Sequence, residues 1–392
     1  MELVSLKYVR NRNANNEWQI VGSPIEGEEN YPLTFKKINL IVGKNATGKS
    51  NTVRTIQDLA SLLSGTKKPN ELLYTTATYD VIFKNGEKNI SYYVDYEHGT
   101  VRDEKLNINS RLLLDRKENL LFYNELDKMV SFKTDDNILA ITRRDSKQQD
   151  FFDDLYYWGL NLSYYAFGST LGKDTYAFSK DLSIQFQDPF YLKNTNKVSV
   201  LFIKGINKDS KFKRGIINDM KTIDYQLNEI DVRPLKGIQS LKNTSDIFGL
   251  SIEEEGLKSD IDQNEISQGM FRVLSLIIQM NYSLLFGISD CVLIDDIGEG
   301  LDYERSQSLI NLIIKKAKKF QVIMTSNDRF VMNKIPLEYW EVIKRENNKS
   351  IFYNIRNSQE VFEKFAYTGL NNFDFFATNF YKQEFENGNL EK

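Results

Sequence analysis

The chain has 392 residues, enough for two domains or for one large domain carrying an insertion, so a sizeable core can be buried and disorder as the main state is excluded. Lys and Arg total 51 against 54 Asp and Glu, a net charge of −3, which leaves no global basic excess to hold nucleic acid; any basic patch must be local. One cysteine excludes an intramolecular disulfide and a CxxC metal hook. One histidine, His98, excludes HExxH-type sites, and a reducing compartment is expected.

The opening residues, MELVSLKYVRNR, place charges where a signal peptide needs an apolar core, which points to the cytoplasm. Residues 3–9 and 18–21 read as strands, and INLIV at 38–42 is a short apolar run of the kind buried on both faces of a parallel sheet. A helix pattern runs from about 48 to 63. YDVIF and ISYYVDY, joined through Asn85-Gly86, read as a β-hairpin with His98 at its end. Between 101 and 244, aromatic-rich helix patterns such as DFFDDLYYWGLNLSYYAF alternate with charged loops, and no heptad is sustained, so long coiled-coil arms are not expected.

Strand and helix then alternate again: a strand at 246–252, a helix at 267–286, the strand CVLID, a helix at 303–319, the strand QVIMT and a last strand at 351–355. The apolar stretch 273–294 is interrupted by Gln279, Asn281, Tyr282, Ser283 and Asp290, so it reads as a core helix followed by a buried strand, without a membrane span. The expected fold class is α/β, a mixed sheet flanked by helices and completed by residues far apart in sequence. Its parts are an N-terminal lobe (1–100), a mostly helical insertion (101–245), a C-terminal lobe (246–356), and a terminal helix and tail (357–392) packed through Phe362, Phe365 and Leu370.

Gly43, Lys44, Asn45, Ala46, Thr47, Gly48, Lys49 and Ser50 fit G-x-x-x-x-G-K-[ST], the phosphate-binding P-loop, between an apolar strand and a helix. The glycines turn backbone N–H groups toward a phosphate chain at the positive end of the helix; Lys49 would reach the β- and γ-phosphates of ATP and Ser50 would hold Mg²⁺. CVLID ends in Asp295 and Asp296, an acidic pair at the carboxyl end of a buried strand. Asp295 would hold Mg²⁺ and Asp296 would orient or deprotonate the attacking water. Ser267, Gln268 and Gly269 open the long apolar helix, where a hydroxyl and amides could bind an anion; a plain N-cap is the alternative for Ser267, and the position between the insertion and the acidic strand favours the anion site.

These segments, INLIVGKNATGKSN with Asn45 and Asn51, ISQGMFRVLSLIIQ, LIDDIGEGLD and VIMTSNDRF, together resemble the ABC-type ATPases of the SMC/RecF/OLD group. Within it they are similar to the compact AAA-15/AAA-21 ATP-binding proteins of bacterial antiphage systems such as PARIS. The resemblance covers about residues 1–64 and 246–356. It implies a homodimer through an ATP sandwich, with higher oligomers open. Ser267 and Gly269 would be the signature motif, Glu299, Gly300, Leu301 and Asp302 the D-loop at the interface, and Asn327 would stand at the switch position usually held by histidine. Two departures from the family pattern, Asp296 where Glu is usual and Asn327, which cannot carry a proton, imply a slow switch rather than a motor.

The implied function is an ATP-dependent switch or scaffold controlling a separate effector, a nuclease or toxin in antiphage defence. The alternative is a RecF/SMC-like clamp on DNA. A transporter subunit is disfavoured by the insertion, and a nuclease within the same chain by the short stretch after the last strand. Gln148 and Gln149 are candidates for a metal-contacting glutamine, and Arg143 and Arg144 for nucleotide or partner contacts. Two basic clusters remain: Lys204, Lys208, Lys211, Lys213 and Arg214 suit a phosphate-backbone patch or a solvated helix face. Lys315, Lys316, Lys318 and Lys319 suit the negative end of a helix dipole.

Overall fold

The computed structural model describes residues 1–24, 31–143, 145, 147–183, 196–235 and 247–381. One 15-stranded sheet runs through the molecule. Its antiparallel half begins at the edge strand Lys128–Ser131 and passes through Leu120–Tyr123, Arg111–Asp115, Thr100–Ile108, Lys88–Glu97 and Ala77–Asn85 to Glu2–Arg10 and Trp18–Gly22. Lys349–Tyr353 then pairs parallel to Trp18–Gly22 and antiparallel to Trp340–Glu346. From Trp340–Glu346 onward every pairing is parallel: to Ile38–Val42, to Gln321–Ser326, to Cys291–Asp295 and to Ser163–Ala166.

Alternate residues of these short central strands feed two cores. Leu40, Val42, Val292, Ile294, Val322 and Met324 face the side covered by the helix Gln268–Phe286. Ile41, Leu293 and Ile323 face the helix Lys49–Leu63 on the other. Each such fully buried aliphatic side chain contributes about 1.5–3 kcal/mol, so a strand buried on both faces favours a continuous apolar run. Gln268–Phe286 is long and apolar enough to cross a membrane, but 67% of its apolar window lies inside the molecule, as expected of a core helix. A buried carboxyl lies beside the strand Ile38–Val42: Glu341, paired with Ile41, accepts from Asn354 Nδ2 at 2.9 Å, and burial pushes it up to about 8.

The elements expected around the motifs are present, and the mid-chain segment differs. Residues 101–131, expected to be helical, extend the hairpin as an antiparallel meander. The alternation there is masked by Glu104, which is fully buried and held by Ala140 N–H (2.7 Å), Tyr92 Oη (2.9 Å) and Arg116 Nη1 (3.3 Å). Of DFFDDLYYWGLNLSYYAF, only Asp153–Asn161 is an α-helix; Ser163–Ala166 is the strand beside the acidic one. Among the described residues the longest helices of the insertion are Val198–Lys208 and Lys211–Thr222, which pack on Gln268–Phe286 beside a small sheet of Ala177–Phe178, Ile247–Glu254, Leu227–Pro234 and Ile261–Asp262. At the C-terminus, Phe362 and Phe365 are buried on Gln359–Ala366 as expected, whereas Leu370 is exposed, lying past the helix end.

Candidate functional site

Trp340–Glu346, Ile38–Val42, Gln321–Ser326, Cys291–Asp295 and Ser163–Ala166 run the same way and finish at one end of the sheet, where open α/β folds place ligands. After Val42 the chain turns through Gly43–Gly48 into the helix Lys49–Leu63. Gly48 has φ +111°, a conformation closed to side-chain-bearing residues at low cost, and a Cβ there would lie 2.6 Å from Ser350 Oγ. A Cβ on Gly43 would lie 2.5 Å from Ile343 Cγ2. The helix N-cap has no side-chain hydrogen bond and its first turn no acidic residue, so its first amides face outward as an anion cradle. Lys49 is buried, and its Nζ donates to Gly43 O (2.7 Å) and Lys44 O (3.1 Å). Burial holds its ammonium below the usual lysine range, against the opposing pull of Asp296 and Asp295.

Both carboxylates stand where the sequence put them, at the end of Cys291–Asp295. Asp295 is buried. Its Oδ1 accepts from Thr325 Oγ1 at 2.6 Å, and the Tyr164 hydroxyl lies 3.5 Å from Oδ2. Asp296 is half-buried at φ +56°, and its N–H donates to the same Thr325 Oγ1 at 2.9 Å. Burial, then Asp295 and Glu299, raise its carboxyl above the usual aspartate range, while Lys49 opposes them. One threonine thus holds the carboxylate of Asp295 and the backbone of Asp296. Tyr164 belongs to no motif, and Thr325, though inside VIMTSNDRF, carries no expected role there; each acts from a strand adjacent to the acidic one.

The strand Gln321–Ser326 separates the loop strand from the acidic strand, and Asn327 follows it. Asn327 Nδ2 donates to Asn45 Oδ1 at 2.9 Å, which puts the switch candidate on the nucleotide loop. Asn51 Oδ1 accepts from Arg10 Nη1 at 3.4 Å. Thr47 Oγ1 donates to Lys44 O at 2.8 Å, and Ala46 takes φ +62°, so the loop tip is tightly turned; Lys44, Asn45 and Ala46 are exposed.

Ser267 caps Gln268–Phe286, accepting from Met270 N–H at 3.3 Å, so the plain N-cap role holds within the chain. Gln268 Nε2 lies 3.5 Å from Ser169 O. Gly269 sits against the segment after the acids: a Cβ there would lie 2.7 Å from Gly300 O. Arg272 fastens this corner, donating to Ser169 O (2.8 Å), Gly168 O (3.1 Å) and Glu299 O (2.9 Å). Asp302 caps the helix Tyr303–Lys316 through Arg305 N–H at 3.0 Å. Ser267 is exposed, and Gln268 and Gly269 are partly so.

Other readings resolve locally. Gln148 and Gln149 close a turn on Asp145, with Asp145 N–H donating to Gln149 Oε1 at 3.2 Å. Arg143 pairs with Asp135 at 3.0 Å, and Arg144 lies outside the described residues. His98, at φ +50°, sits in the turn after Lys88–Glu97. A second wall of the site was invisible in the sequence because it is assembled from three separated segments: Arg10, Trp18 and Arg345 line a cavity with Ala46, Gly48 and Asn51. The Arg10 guanidinium lies 5.7 Å and that of Arg345 4.9 Å from the Trp18 ring centre.

No protein-family model matches the chain, and no curated protein does. Among solved structures it is similar to an SMC head bound to the C-winged helix domain of ScpA, with TM-score 0.50 and 13% identity over 92% of this chain and 100% of that one. It is also similar to the SMC head domain from Thermotoga maritima, with TM-score 0.43 and 13% identity over 90% and 99%. A third is an Smc head domain with an extended coiled coil bound to the C-terminal domain of ScpA derived from Pyrococcus furiosus, with TM-score 0.47 and 12% identity over 93% and 99%. The first of these likenesses is one of fold, and the fold is the mixed α/β sheet flanked by helices expected from the sequence.

Proposed function

We propose that the chain binds ATP with Mg²⁺ and hydrolyses it slowly, as a cytoplasmic ABC/SMC-like ATPase whose nucleotide-dependent pairing with a second copy controls a separate effector. One observation carries this reading. Three adjacent parallel strands end together, the first in a glycine-hinged loop with Lys49, the second in Asn327, the third in Asp295 and Asp296.

The residues fit the nucleotide and its metal. The loop keeps Cβ-free corners and a bare helix N-terminus for phosphates, and Ser50 Oγ with the oriented Asp295 carboxylate offers hard oxygen ligands. When bound, Mg²⁺ would offset negative charge on the phosphates. Lys49 adds a positive charge, and Arg10, Trp18 and Arg345 form an aromatic and cationic wall for the base and ribose. Asp296 acts on water: its raised affinity for protons brings it closer to a base matched to neutral pH. Aspartate is one methylene shorter than the family's glutamate, and a misplacement of roughly 1 Å costs on the order of 100-fold in rate, which supports slow turnover.

Control of an effector is supported by the motif resemblance and by the protein partner that the similar SMC head carries. The role in antiphage defence rests on the motif resemblance alone. Lys49→Ala should abolish ATP binding in equilibrium dialysis, and Asp296→Ala should bind ATP yet not turn it over. Unchanged affinity in Lys49→Ala would refute the site. For the effector, the neighbouring reading frame decides: a small nuclease or toxin gene there supports the switch, a repair gene the DNA clamp.

A further inference from the structure

The two basic clusters, more than a hundred residues apart in sequence, meet in space. Lys211 from one, and Lys315, Lys316, Lys318 and Lys319 from the other, line a single groove of about 550 Å³. The helix Lys211–Thr222 forms one wall and the C-terminal end of Tyr303–Lys316 the other; the end of Gln268–Phe286 lies between them. The floor is apolar, made by Leu284, Leu285, Leu312 and Phe212.

Other members of the insertion cluster are engaged elsewhere: Lys213 pairs with Glu229, and Lys204 reaches Leu182 O. Within the groove, Asp219 is occupied by Lys316 at 2.8 Å, so Lys211, Lys315, Lys318 and Lys319, all exposed, outweigh the remaining carboxylate, Asp209. A chain of net charge −3 has concentrated positive charge around an apolar trough. Gly215 adds to the opening. It sits inside a helix, where glycine costs about 1 kcal/mol against alanine, and a Cβ there would meet nothing within 4 Å.

We propose that this groove docks a segment of a partner protein in which apolar side chains are flanked by carboxylates. The floor selects against nucleic acid. A phosphate backbone gains nothing over leucines, whereas an acidic amphipathic segment buries apolar side chains between the lysines while its carboxylates meet their ammonium groups. This surface is separate from the nucleotide site and does not depend on how that site is read.

The test uses the full chain and three labelled probes in fluorescence anisotropy: a peptide of about 16 residues with leucine every third or fourth position on a glutamate background, an all-glutamate peptide of equal length, and a DNA duplex of about 20 base pairs. The mixed peptide should bind saturably, at least about tenfold tighter than the all-glutamate one. Lys315→Glu/Lys318→Glu/Lys319→Glu should weaken it about tenfold or more. Gly215→Met, which partly fills the open trough, should weaken the mixed peptide and leave the circular dichroism spectrum and the urea midpoint unchanged, showing that the variant is folded. The proposal is overturned if no peptide binds, if the lysine reversals leave peptide affinity unchanged, or if the duplex binds as tightly as the mixed peptide and loses affinity with the same reversals.

Discussion

Asn327 reaches across 282 positions of sequence to Asn45, placing an amide from the strand beside the acids directly on the exposed tip of the nucleotide loop. Both side chains are solvent-accessible, so the contact is weak by itself, and its value lies in position. Two residues before Asn327, Thr325 holds the Asp295 carboxylate and the Asp296 backbone N–H, so the loop tip and the acids are tied to the end of one strand.

Asn327→Ala should therefore loosen the loop without unfolding it. A net loss of about 0.5–1.5 kcal/mol, typical of one hydrogen bond, corresponds to a two- to tenfold weaker affinity for a non-hydrolysable ATP analogue by calorimetry. Affinity unchanged within error would mean that the tie is incidental.

Glu299→Gln tests the electrostatics of the proposed base. Asp296 is raised first by burial, then by the negative charges of Asp295 and Glu299. A raised carboxyl is protonated, and inactive as a base, up to a higher pH than an ordinary aspartate. Removing the Glu299 charge should move the acidic limb of the kcat profile to lower pH while leaving ATP affinity near normal. A limb that does not move would separate Glu299, or Asp296 itself, from the rate.

Ser267→Arg addresses the proposed pairing of two copies. Ser267 is exposed and caps its helix, a contact worth about 1 kcal/mol. Ser267→Ala removes only the cap, whereas Ser267→Arg also places bulk at the surface. ATP binding by the monomer should survive both, and only the arginine variant should fail to dimerise with a non-hydrolysable analogue in size measurements. Mixing it with Lys49→Ala chains should restore association through one intact composite site. Dimerisation of the arginine variant on nucleotide would exclude the sandwich.

Glu341→Gln concerns stability. In the unfolded chain this carboxyl ionises near 4.5, and in the folded chain near 8. As pH rises between those values the unfolded state sheds the proton while the folded state keeps it. Wild-type stability should therefore fall over that window and level off above it, by an amount on the order of a few kcal/mol. Glutamine preserves the shape and can still accept from Asn354, so the variant should gain on wild type in urea at pH 9 and match it near pH 4. Parallel curves at both pH values would show that Glu341 is not buried as a neutral acid.

The parts legible in the sequence were those written within one short run. Gly43–Ser50 and Asp295-Asp296 carry their chemistry in consecutive residues, and the flanking apolar runs announce strands buried on both faces. Ser163–Ala166 was hidden because its aromatic residues continue those of the helix Asp153–Asn161 without a glycine or proline break between the two elements, and short apolar runs do not reveal their period. The meander after residue 100 was obscured by Glu104, a charged residue at a buried position that its partners Arg116, Ala140 and Tyr92 make tolerable. The wall of Arg10, Trp18 and Arg345, like the lysine groove, exists only once distant segments are brought together.

The strand order carries a consequence for how the protein is made. Ile38–Val42 is synthesised long before both of its neighbours, Gln321–Ser326 and Trp340–Glu346. Until they arrive, the loop strand has two open edges, and Gly43 and Gly48 lack the wall of Ile343 and Ser350 that shapes the turn between them. Translation stopped before residue 321 would release an apolar strand with nothing on either side, a product for proteases or chaperones rather than a partly assembled site.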